Sequence, residues 1–97
     1  MASRVILTYK DYEALPADGR RYELHEGEVS VTPAPSPRHQ EVGFNLAVAL
    51  NEHIRRRSLG KVFVSPIDCI LDATTVVQPD IVYLDAPRLR AVSSRGI

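Results

Sequence analysis

The stretch from Ser36 to Gly60 constrains this chain's fold more than any other part of it. Ser36 is a good helix N-cap, Pro37 suits the first helical position and Gly60 suits a left-handed exit. Between them Val42, Leu46, Ala49, Leu50 and Ile54 recur at helical spacing, and Phe44, Ala47 and Val48 widen the stripe. A helix this long, with so broad an apolar side, needs a sheet to lie on. Strand-forming runs occur on both sides of it, so the expected class is α+β.

Ahead of the long helix, Thr8–Leu15 reads as a short helix. Thr8 can cap it, Asp11 stands three residues on, and Pro16 stops it. Arg21–Thr32 reads as a hairpin with Glu26-Gly27 at its tip. Tyr22, Leu24, Val29 and Val31 would form its apolar face, while Glu23, His25, Glu28 and Ser30 would form the polar one. Pro33-Ala-Pro-Ser-Pro37 is a stiff connector that cannot join a central strand. Beyond the helix the period changes. Lys61–Ser65, Asp68–Asp72 and Ile81–Leu84 are short β-rich runs, and the last is apolar throughout, as in a central strand covered on both faces. Residues 85–97 show no periodicity. The expected order is therefore helix, hairpin, long helix and three strands, making one domain over residues 1–97 with the long helix on a mixed sheet.

Charge excludes little here. Twelve basic and twelve acidic side chains cancel, so net charge does not argue for a nucleic-acid partner. Placement is less even, because Arg55, Arg56 and Arg57 stand together at the end of the long helix. Guanidinium groups suit phosphate, which makes these three candidates for nucleic-acid binding. A solvated cap on the helix dipole is the competing reading. The single cysteine, Cys69, rules out an internal disulfide and any multi-cysteine zinc site. It lies in an apolar stretch, where a thiol acts as a small hydrophobe. With no apolar run long enough to span a bilayer, the expectation is a soluble protein of the reducing cytoplasm with no membrane partner.

Pro79-Asp80 carries the sharpest chemistry. Proline pushes Gln78 toward extended geometry and sets Asp80 at the mouth of the apolar strand that follows. Phosphodiester hydrolysis needs such a carboxylate to hold magnesium or manganese. Taken alone, Pro-Asp also marks ordinary turns.

Context adds to it. Tyr22-Glu-Leu-His-Glu-Gly-Glu28 is followed by Pro35-Ser-Pro-Arg-His39, a helix, Val62-Phe-Val-Ser-Pro66 and Gln78-Pro-Asp-Ile-Val-Tyr83. This succession resembles a large bacterial family of restriction endonuclease-like proteins within the PD-(D/E)-x-K nuclease superfamily, and the resemblance runs from about Thr8 to Leu84. It implies an incomplete restriction-endonuclease-like fold, DNA as partner, and Mg2+ or Mn2+ as cofactor. By the same resemblance Asp80 is the metal-binding aspartate, and Glu23 is a recurring hairpin glutamate near the site that would support it. His39 matches a recurring histidine at the start of the helix, a candidate for contact with phosphate. Without that resemblance, Glu23 also reads as a surface ion-pair partner and His39 as a neutral imidazole bonded to the connector. Glu41 ranks below Glu23 as a ligand, and His25 and His53 read as surface and helix-face residues.

The sequence departs from the family at one point. The family completes its site with a second acid on a following strand and a lysine, whereas here Asp85 is the only acid after Asp80 and no lysine follows. Two expectations result. One is a metal-dependent DNA endonuclease domain truncated before its second acid and lysine. The other is a catalytically inactive dimerisation or interaction module on the same half-fold, forming a homodimer.

Overall fold

The computed structural model describes residues 5–97 and divides into two compact units. The first comprises the residues up to Ala34 together with Asp68–Gln78, and the second comprises Pro35–Ile67 with Pro79–Ile97.

In the first unit, helix α1 (Tyr9–Glu13) precedes the hairpin β1 (Arg21–His25) and β2 (Glu28–Thr32), and β4 (Cys69–Asp72) and β5 (Thr75–Val77) join them. The Asp11 carboxylate accepts from both the amide and the hydroxyl of Thr8, closing the first turn of α1. Both residues at the hairpin tip have positive φ, 47° at Glu26 and 86° at Gly27, which is the twist a two-residue hairpin loop requires. Cross-strand pairing sets Leu24 opposite Val29 and Tyr22 opposite Val31, so the expected apolar face forms. The sheet runs β2-β1-β5-β4 and is antiparallel at every pairing. Leu24 pairs with Val76 and Val76 with Ile70. Leu24 and Val76 are fully buried and, with Tyr12, form the centre of the core.

β5 is a strand that the sequence does not announce. It has three residues and no alternation, yet it occupies the interior of the sheet, between β1 and β4. Cys69, beside it on β4, is buried as expected. Burial, followed by the nearby Asp68 charge, pushes its thiol pKa up, as befits a packing residue.

In the second unit, α2 (Pro37–Arg56) packs on β3 (Gly60–Val64), which pairs antiparallel with β6 (Ile81–Asp85), and a 3₁₀ helix (Ala86–Ala91) follows. The Ser36 hydroxyl accepts from the His39 amide at 3.2 Å, so the helix starts where expected. Its exit differs. The Ser58 amide bonds to the Arg55 carbonyl and the Leu59 amide to the Ile54 carbonyl, a Schellman arrangement whose left-handed residue is Ser58, at φ 52°. Gly60 instead opens β3 at φ 147°, where any side chain would run into the Leu84 carbonyl.

Two expectations about packing are corrected. The long helix buries Ala47 and Ile54 while Val42 and Leu46 are each 57% exposed, because a two-stranded sheet is too narrow to cover so broad an apolar side. β6 is not a central strand: β3 is its one partner among the described strands, and Tyr83 on it is exposed. The mixed sheet resolves into two separate antiparallel sheets. No described helix is long and apolar enough to cross a membrane.

Candidate functional site

Asp80 stands immediately before β6. Its carbonyl accepts from the Ser65 amide at 3.1 Å, which extends the β3–β6 ladder by one step and pins the backbone. Its side chain is about half exposed, and its Oδ2 lies 3.1 Å from Nε2 of His39, the third residue of α2. An ionised carboxylate only accepts, so this bond places the ring proton on Nε2. The pair lines an open depression of about 420 Å³ together with Ser36, Arg38, Val42, Leu46 and Ile81. A side-chain pair this exposed contributes at most about 1 kcal/mol to stability. Its chemistry is therefore separable from folding.

The donor set is small. Among the described residues no three His, Cys, Asp or Glu side chains converge. One carboxylate steadied by one imidazole fits a magnesium or manganese ion that completes its shell with water and phosphate oxygens. Asp85 cannot add to it. Five residues along an extended strand separate it from Asp80 by roughly 16 Å. Its carboxylate is also engaged at the start of the 3₁₀ helix, accepting from the Arg88 amide and guanidinium.

Glu23 lies in the first unit and is 20% exposed. Its Oε2 accepts from the Gln78 amide at 2.6 Å, and its Oε1 lies 3.2 Å from His25 Nε2. Sequence reasoning passed over what surrounds this bond. Gln78 also accepts from Arg21 at its carbonyl, at 2.9 Å, and donates from its side chain to Asp68 at 2.8 Å. The Tyr12 hydroxyl lies 2.8 Å from both the Asp68 carboxylate and the Tyr22 carbonyl. Burial first, and then the Asp68 bond, drive the Tyr12 pKa well above that of an ordinary phenol. Neither Asp68 nor Tyr12 has any local sequence signature. The position of Gln78 before Pro79-Asp80 was the one available clue.

The three arginines are divided in use. Arg56 pairs with Glu52 one turn back at 2.8 Å, and Arg57 Nη1 lies 2.9 Å from His53 Nδ1. Arg55 lines a second open depression with Val48, Asn51 and Glu52. All three are exposed at the C-terminal end of α2, where cations offset the helix dipole.

A helix packed on antiparallel strands in an α+β arrangement fits a partial nuclease-like fold. The chain belongs to the Uma2 family, described as "Putative restriction endonuclease", whose model matches residues 9–96. No curated protein matches the chain.

Proposed function

We propose that this chain supplies the metal-anchoring part of a DNA endonuclease site, with Asp80 holding Mg2+ or Mn2+ and His39 holding Asp80. The observation that carries this reading is the 3.1 Å contact between His39 Nε2 and Asp80 Oδ2 at the head of β6. A bound ion would polarise the phosphodiester and supply hydroxide near neutral pH. The chain's own part is positional. The β3–β6 ladder holds the Asp80 backbone, the His39 N–H sets the rotation of its carboxylate, and Arg38, one of the residues lining the depression, carries a guanidinium of the kind that suits phosphate. Arg55, Arg56 and Arg57 would meet the DNA backbone, and Glu23 enters as a supporting catalytic residue through the resemblance alone. A cytoplasmic setting, with a reduced Cys69, belongs to the same reading.

Manganese titration followed by electron paramagnetic resonance, without DNA, tests it. Asp80→Asn should abolish saturable binding, and unchanged binding would overturn the assignment. With DNA, replacing the three arginines by glutamine should flatten the salt dependence of affinity, by roughly 0.9 in log–log slope for each phosphate that is no longer neutralised. Plasmid nicking in manganese, wild type against Asp80→Asn, reports whether the chain cleaves.

A second reading, an interaction module without cleavage, is favoured by the apolar residues that α2 leaves exposed, among them Phe44 at 70% and Val48 at 50%.

A further inference from the structure

The exposed side of α2 has a pattern of its own. Glu41, Phe44, Val48, Asn51 and Arg55 follow one another at spacings of three, four, three and four, the repeat that keeps one seam of a helix facing a partner helix. The seam is acidic at its N-terminal end, apolar in the middle and basic at its C-terminal end. Glu41, Phe44, Val48 and Arg55 are all exposed, while Asn51 is half-buried. Ala47 and Ile54, the residues the helix buries, are not among the five.

We infer that this seam is a homodimer interface on which α2 pairs antiparallel with α2 of a second copy about a two-fold axis through Val48. This gives the second reading its surface and takes Arg55 out of the set that would face DNA; it stands whether or not Asp80 holds a cation. Residues seven before and seven after Val48 then face each other, so Glu41 meets the partner subunit's Arg55 at both ends of the seam. A parallel pairing would instead oppose Glu41 to Glu41 and Arg55 to Arg55. Charge thus selects the antiparallel arrangement, which also aligns the two helix dipoles favourably.

Shape agrees with charge. Phe44 stands 70% exposed. One to three turns along the same side is an open depression of about 470 Å³ whose walls include Val48, Asn51, Glu52 and Arg55. Those four positions are the hole that a residue at position 44 enters in an antiparallel knobs-into-holes contact. By symmetry each Phe44 fills the other copy's depression, and the Glu52–Arg56 pair borders it. The surface is isologous, as a closed dimer requires.

Sedimentation equilibrium over a wide range of protein concentration tests this. The mass should rise from 10.8 kDa toward twice that value with concentration. Phe44→Asp should hold the protein at monomer mass with an unchanged far-UV circular dichroism spectrum, since Phe44 is not a core residue. Glu41→Arg alone should weaken the dimer about tenfold, and adding Arg55→Glu should restore it, the pairwise cost of like and unlike charges at both ends of the seam. Monomer mass at every concentration overturns the proposal, as does a dimer indifferent to Phe44→Asp. A dimer lost in Phe44→Asp but unmoved by the charge exchange overturns the antiparallel register.

Discussion

His39 Nε2 and Asp80 Oδ2 lie 3.1 Å apart although 41 residues separate them in the chain. The contact joins the first turn of α2 to the residue leading β6. If its purpose is to orient a metal-binding carboxylate, His39→Ala should weaken manganese binding by about tenfold or more, the usual effect of removing a partner that orients a ligand. The unfolding free energy should change by less than about 1 kcal/mol, because the pair is half exposed. Isothermal titration calorimetry and urea denaturation of the same variant measure the two effects.

Glu23 should behave differently. Its carboxylate receives the Gln78 amide at 2.6 Å in a partly buried setting. Glu23→Ala leaves that N–H without its charged acceptor, so a stability loss of about 1.5–3 kcal/mol is expected. Urea denaturation measures it, and a loss below a few tenths would mean that water replaces the carboxylate without cost.

Tyr12 sets a pH dependence. Its pKa is raised above 10.0, first by burial and then by the bond to Asp68, so the folded protein favours the protonated phenol. The stabilisation is fully present below the unfolded value near 10 and is lost as pH rises above it. Cys69 and Tyr22 are shifted upward as well and act in the same direction. Unfolding free energy should therefore decline from about pH 9–10 upward, and Tyr12→Phe should make that decline shallower. At neutral pH the same substitution should cost about 1–2 kcal/mol, through the weakened Asp68 and Tyr22 partners. Denaturation curves from pH 7 to 11 test both.

Ser58 offers a gain. It holds φ at 52°, a conformation that costs a residue with a Cβ about 1 kcal/mol and costs glycine almost nothing. Ser58→Gly should raise the melting temperature by several degrees. No rise would mean that the serine's shape is already accommodated at the helix exit.

Much of the local structure was legible because its causes are local. A cap is made by neighbours, so Ser36-Pro37 set the start of α2 and Thr8 with Asp11 set α1. A two-residue loop with alternating flanks sets its own register, so Glu26-Gly27 aligned the hairpin. The order of short motifs also carried the family resemblance and drew attention to Asp80. The tertiary structure decided what depends on distant partners. β5 is interior because Leu24 and Ile70 lie on either side of Val76, a fact absent from Thr75–Val77 itself. The buried side of α2 follows from the narrow sheet beneath it, which left Val42, Leu46, Phe44 and Val48 exposed. The meeting of His39 with Asp80, and the bonds from Gln78 to Glu23 and Tyr12, required the chain to close loops of 41 to 66 residues. Sequence spacing determines which residues share a face. Only the fold, by closing those long loops, determines which faces meet.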